Sequence, residues 1–285
     1  MGTNRIHELA KVWVIARFDL GTALRTRRAV LALLMYLLIA LGTGLAAISI
    51  ERRVQQALSD RGTHPEVLVE AKAKALAALT IFLGGDREKA EHLMDIPLPV
   101  AAFFFVTLTF LPYLIALTSH DLVNRELRDR SARFVLLRAS RAAFLAGKTL
   151  SHVLLFMFVT VVSNAALFAY AALELPAFPI ATGATTLTAF WGYALVYGVC
   201  FLSLAALVSS FVDSAARSLI ALVVVLVALN ILAASDTAGF LSPWAHRGGL
   251  WSPHALDVAQ SLAWYLGFSA AFWTVAWLRI RRRDV

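Results

Sequence analysis

The residues Ala142-Ala-Phe-Leu-Ala-Gly147-Lys148-Thr149 match the spacing of a phosphate-binding loop, with Ala in place of the first Gly. Such a loop works because glycines let backbone amides wrap a phosphate between a buried strand and a helix. Here the loop positions are Ala, Phe and Leu, the preceding stretch is basic and amphipathic, and an apolar run follows. Nucleotide binding by this segment is therefore rejected. No Gly-x-Ser-x-Gly and no His-Glu-x-x-His occurs. The seven histidines are scattered; His246 and His254 share one loop and His64 and His92 another, which reads as solvated side chains and no metal site. Catalytic residues, metal ligands and cofactors are not expected, and the chain is not read as an enzyme. The deepest strongly polar side chains in apolar surroundings are Asn164 and Asn230. Each could line a pathway or make an interhelical hydrogen bond.

The elements that must carry these residues follow from composition. Of 285 residues, 60% are hydrophobic and 15% charged, against about 25% charged in an ordinary soluble domain. The apolar residues fall into runs near the roughly 20 needed to cross a bilayer's hydrocarbon core. The formal charge of +8 is concentrated beside those runs, so it reads as orientation in a membrane and not as nucleic-acid binding. Cys200 is the single cysteine, which excludes an intrachain disulfide.

The expected fold is all-α, a polytopic membrane protein with six transmembrane helices. Residues 1–28 form a surface segment and 29–285 a single six-span domain. The spans are predicted at Ala29–Ile50, Leu98–Ser119, Thr149–Leu173, Leu187–Val212, Ala216–Ala234 and Ser261–Leu278. Pro112 inside the second predicts a kink. The charged start and the missing small-residue cleavage site predict that the first span stays as an anchor. Counting Lys and Arg places both termini in the cytoplasm, because 18 of the 26 basic residues then lie inside. No Lys, Arg, Asp or Glu occupies the centre of a span, where an ionised side chain costs about 2.5 kcal/mol or more.

Three further segments are informative. Ile6, Leu9, Ala10, Trp13, Ala16 and Leu20 recur at helical spacing among Arg5, Lys11 and Arg17, which predicts an N-terminal amphipathic helix lying on membrane lipid. The external loop 51–97 predicts a helical hairpin, Pro65 to Leu83 and then Asp86 to Asp95. The external loop 235–260 is rich in Gly and Pro, and Trp244 and Trp251 predict that it rests at the membrane interface. The cytoplasmic loop 119–148 mixes charge with apolar residues in a way that suits two short amphipathic helices.

That last loop resembles the coupling loop of the permeases of ABC-2-type transporters. The matching residues are Asp121, Glu126, Leu136-Leu137, Ser140-Arg141 and Gly147-Lys148; the family's Gly-Thr is replaced by charged residues near Asp129 and Arg130, and its Pro by Arg138. Ala16-Arg17-Phe18-Asp19, Arg25 to Arg28 and the basic ending Arg279 to Arg283 also look like the family's pattern. The resemblance implies a permease of the inner (cytoplasmic) membrane, usually an exporter, that pairs with a second copy or a homologous permease. It implies a separate ABC ATPase subunit that hydrolyses ATP beneath it. By the same resemblance Glu126, Arg141 and Lys148 are docking residues of an ATPase-coupling loop. A secondary transporter or channel, and a non-transporting scaffold subunit, remain open alternatives at this point.

Overall fold

In a computed structural model the protein is described over residues 2–25, 27–60, 85–129 and 131–282, with positions 73, 74, 76, 77 and 80 between. Among these residues every regular element is helical. The elements are α1 (Gly2–Arg25), α2 (Arg27–Asp60), α3 (Arg87–Asp95), α4 (Leu98–Ser119), α5 (Asn124–Arg128) and α6 (Ala132–Leu136). They continue with α7 (Arg141–Glu174), α8 (Ile180–Phe211), α9 (Ala215–Ala233) and α10 (Ala255–Arg282). Short 3₁₀ turns, Gly239–Leu241 and Pro243–Trp251, fill the loop before α10.

Among the described residues six helices are long and apolar enough to cross a membrane, and they lie in α2, α4, α7, α8, α9 and α10. The predicted spans fall within these helices, give or take a residue at an end, and several helices run well past them. α7 begins eight residues before the predicted Thr149, and α2 continues ten residues past the predicted Ile50. An apolar run marks the hydrocarbon slab, whereas a helix stops only where its backbone finds caps. Ser140 supplies one cap, its side chain accepting from the Ala143 amide at 3.1 Å. Asp86 supplies another for α3, accepting from Lys89 at 3.0 Å. α3 coincides with the second half of the predicted external hairpin; most of its first half, Pro65 to Leu83, lies outside the described residues.

α4 and α8 form the middle of the bundle, buried over 61% and 67% of their apolar windows, while α9 is buried over only 17% of its own. The two central helices meet through Phe104 and Phe190, stacked at 3.9 Å between ring centroids. Trp251 packs edge-on against both rings, and Trp244 packs edge-on against Phe201 with 7% of its surface exposed. The predicted interfacial tryptophans are thus inserted into the end of the bundle. The physical reason is that Ser242 caps the 3₁₀ turn and ties it to the Leu229 carbonyl at 2.6 Å, which turns the rings inward.

α4 passes through Pro112 without interruption. Proline has no N–H, so the carbonyl four residues earlier, that of Leu108, loses its helical donor. The fully buried Tyr197 hydroxyl of α8 donates to that oxygen at 2.8 Å. A neighbouring helix thereby satisfies the backbone group that the proline frees, as an apolar medium requires. The next residue, Gly198, allows the approach to α7: a Cβ there would stand 2.5 Å from the Phe156 ring.

Tyr197→Phe is expected to cost about 1–2 kcal/mol, the penalty of a buried carbonyl without a donor. In the Pro112→Ala background the same substitution should cost much less, because an alanine at that position restores the helical N–H. A double-mutant cycle on unfolding of the detergent-solubilised protein measures this coupling.

Candidate functional site

α1 lies along the first turns of α7, and one residue pair explains the approach. A Cβ on Gly147 would meet Ile15 at 2.8 Å and the Val12 carbonyl at 2.9 Å. Only glycine lets the two backbones come this close. Ala16, one turn on along the same face of α1, is fully buried. Asp19 follows one further turn along, and Lys148 of α7 donates to its Oδ1 at 2.7 Å. Lys148 also donates to Glu126 Oε1 on α5. Ser151, one turn along α7, donates to the second Asp19 oxygen at 2.9 Å, and His152 Nδ1 stands 3.9 Å from it.

This cluster is largely withdrawn from solvent. The Lys148 and Asp19 side chains keep 7% and 14% of their surface, and that of Glu126 keeps 21%. Burial works to raise the Asp19 carboxyl, but the Lys148 ammonium, its hydrogen bond, His152 and Ser151 together hold it below the ordinary carboxylate range. Removing one member of such a buried set leaves an uncompensated charge, at a cost of about 3–5 kcal/mol. The cluster forms one wall of a polar cavity of about 560 Å³ that also reaches His120, Asp121, Arg125 and Arg128.

The residues singled out from sequence divide into two groups here. Ser140 donates to Glu8 of α1 at 2.7 Å. Arg141 donates from Nη1 to the carbonyls of Ile280 and Arg281, at 2.6 and 2.5 Å, and so caps the end of α10. Glu126, Gly147 and Lys148 join α5 and α7 to α1 as described, and Asp121 lines the cavity. These positions are turned toward the protein's own elements, whereas the resemblance implied docking charges at Glu126, Arg141 and Lys148. The outward group is different. Phe134 and Leu137 are 76% and 82% exposed, with Leu136 partly buried behind them and Arg133 and Arg138 exposed beside them. α5 and α6 are the two short helices expected in this loop.

Sequence reasoning did not pair Asp19, Ser151 or His152 with Lys148. Asp19 lies 129 residues away from Lys148, and its stretch, Ala16-Arg17-Phe18-Asp19, looks like the family's start but names no partner for it. The remaining candidates separate. Asn164 is buried between α4, α7 and α8, and its Oδ1 meets no donor among the described residues. Asn230 is exposed on α9. The phosphate-loop lookalike is helix from Arg141 onward, so its amides from the second turn on are already bonded. No group of three or more metal-ligating side chains forms among the described residues.

α1 and the end of α10 meet through Ser140-Arg141, so these two segments lie at one end of the bundle. The outward apolar stripe of α1 (Leu9, Trp13, Val14 and Phe18) is exposed at that same end. No curated protein matches the chain. A family model described as "ABC-2 family transporter protein" matches residues 13–244, a stretch that opens in α1, contains the whole loop between α4 and α7 and closes in the turn at Trp244. Six apolar helices, a helical start packed on α7 and that family match agree: the chain belongs to the ABC-2 family of transporter proteins, and is the membrane subunit of an ABC transporter.

Proposed function

We propose that the chain is an exporter permease of the cytoplasmic membrane, forming its pathway as a dimer, with the α1 end facing the cytoplasm and docked on a separate ABC ATPase. The basic residues favour this orientation, since α1, the loop between α4 and α7, and the end of α10 hold most of the chain's Lys and Arg at one end. The exposed apolar stripe of α1 suits a helix seated on anionic lipid at that face.

The observation that carries the coupling is the pairing of an exposed knob with a clamped root. Phe134 and Leu137, flanked by Arg133 and Arg138, project from α6 as an apolar tip with a basic rim. Aromatic and arginine side chains of this kind are the usual anchors of a protein interface. Directly behind the tip, Lys148 and Arg141 tie the loop to α1, α5 and α10. A push on the knob is thereby delivered to several helices at once. The ATPase partner presses on Phe134 and Leu137; the clamp passes the displacement to the spans.

Co-expression with the cognate ATPase should give a complex whose turnover responds to the membrane subunit. The pair Phe134→Asp and Leu137→Asp should abolish co-purification and that response while leaving the thermal unfolding of the membrane subunit unchanged, since both side chains are exposed. Transport by the chain alone, driven by an ion gradient, would sink the proposal.

Lys148→Met should lower stability by about 3–5 kcal/mol, and adding Asp19→Asn and Glu126→Gln should recover most of it, because no unpaired charge remains. The recovered triple variant should bind the ATPase and still fail to couple, with ATP turnover no longer responding to substrate. The Asp19 contribution has a definite pH sign. Its folded value lies below the ordinary aspartate value of 3.8, so the stability it adds is present above that pH and is lost as pH falls through the folded value. The gap between wild type and Asp19→Asn should be constant near neutrality and close below about pH 4.

A further inference from the structure

The bend between α4 and α5 belongs to the loop that carries the exposed knob, and neither helix completes it alone. A helix leaves its first amides and last carbonyls without partners of its own. α5 follows Val123, whose side chain has no oxygen with which to cap those amides. The partners come from other elements. The Ser209 hydroxyl of α8 accepts from the Val123 and Asn124 amides at 2.9 and 3.1 Å. The Ser218 hydroxyl of α9 donates to the carbonyl of His120, the residue that closes α4. Both serines are fully buried, and Val123 and Asn124 are buried with them.

Ser209 and Ser218 stand on either side of the short turn that joins α8 to α9. One hairpin thus caps both open ends of the loop's first bend. α5 is only five residues long; its start is held to α8 by these bonds and its middle to α7 by Glu126 and Lys148. The two attachments lead to different spans. The Lys148 clamp leads to α1 and α7, whereas the serines lead to α8 and α9. Of the six spans among the described residues, α8 is the most enclosed, at 67% of its apolar window, and α9 the least, at 17%. Within the chain, α9 is therefore the span that packing restrains least.

We propose that Ser209 and Ser218 are positioning residues of the transport cycle. They bind the first bend of the loop to the α8–α9 hairpin, and through them a displacement of the loop reaches α9. This role rests on the ATPase docking proposed above and adds to it a second route, separate from the Lys148 clamp. A hydroxyl suits both tasks: its lone pairs serve two amides at Ser209, and its proton serves the carbonyl at Ser218. Neither bond involves a charged group, unlike the clamp.

Hydrogen exchange read by mass spectrometry tests both halves of the proposal. In the full-length chain alone, Ser209→Ala should speed exchange of the Val123 and Asn124 amides about tenfold. Ser210 is equally buried, but its hydroxyl bonds the Leu207 carbonyl of its own helix at 2.7 Å, so Ser210→Ala should leave those amides unchanged. In the complex with the cognate ATPase, exchange over 212–222 and 141–152 is then compared without nucleotide and after trapping with ATP and vanadate. Trapping should change both segments in the wild type and in Ser210→Ala. In Ser209→Ala combined with Ser218→Ala, the change over 212–222 should be lost and that over 141–152 kept, with ATPase binding unaltered. A purely structural cap would leave both responses in place. The single variants are read in the same way, so the outcome does not hang on the double variant folding. Unchanged exchange at Val123 and Asn124 in Ser209→Ala, a 212–222 segment that ignores nucleotide in the wild type, or one that still responds in the serine variants would overturn the assignment. A chain that forms no complex sinks the docking reading itself, whereas a complex with a silent 212–222 segment sinks only the serine route.

Discussion

One buried cation holds the α1 end of this protein together. The Lys148 ammonium sits between carboxylates from α1 and α5, 129 and 22 residues away in the chain. At the edge of an apolar slab, where water is scarce, an ammonium needs more than one acceptor to offset its desolvation. Two carboxylates drawn to one cation fix where α1 and α5 lie against α7. The surrounding contacts depend on that placement. Gly147, with no Cβ, admits Val12 and Ile15 one turn before the held Asp19, and Ser140 reaches Glu8 because α1 lies along the same face. Arg141, on the first turn of α7, brings the end of α10 to the same place. Three segments, α1, α5 and α10, thus converge on the first two turns of α7.

The middle and the opposite end of the bundle obey a different constraint, the requirement that no backbone polar group be left unbonded in hydrocarbon. Tyr197 answers the carbonyl that Pro112 leaves open. Ser242 anchors the turn that carries Trp244 and Trp251 into the bundle, where Phe104, Phe190 and Phe201 receive them. Glu88 on α3 meets His254 at 2.9 Å, which joins the two loops of that end. Arg52 of α2 pairs with Glu174 at the far end of α7. α7 is accordingly held at both ends, to α1 by Lys148 and to α2 by Arg52.

How much of this was legible beforehand depended on how local each signal was. The six spans follow from run length alone, since a 20-residue apolar stretch has few other uses. The helical character of α1 was legible from its period. The partner of Lys148 was not, because nothing in the stretch 16–19 distinguishes a buried aspartate from a solvated one. The family resemblance pointed to the loop 119–148 and to Glu126, Arg141 and Lys148 within it, and it carried no signal for their contacts with α1, α5 and α10. Trp244 and Trp251 illustrate another limit: a tryptophan near a membrane boundary serves equally as an interfacial anchor or as a plug, and composition is the same for both. Asn164 and Asn230 mark a third. Their spans are apolar around the whole circumference, so no period tells the buried asparagine from the more exposed one.

The consequence for a transporter lies in the continuity of α7. It runs unbroken for 34 residues from Arg141 to Glu174, about 51 Å at 1.5 Å per residue. Its sequence contains no proline, a leading cause of helix kinks, and the helix carries through Gly147 and the back-bonding Thr149, Ser151 and Ser163 without a break. On the proposed coupling, a displacement that enters beside Ser140 would be shared along α7, because the pairs at its two ends join it to α1 and α2. Gly198, whose missing side chain leaves the Phe156 ring seated against α8, marks where α7 crosses the middle of the bundle. On the proposed coupling, a continuous helix paired at both ends and crossing α8 at a glycine contact would carry a push from one side of the membrane toward the other.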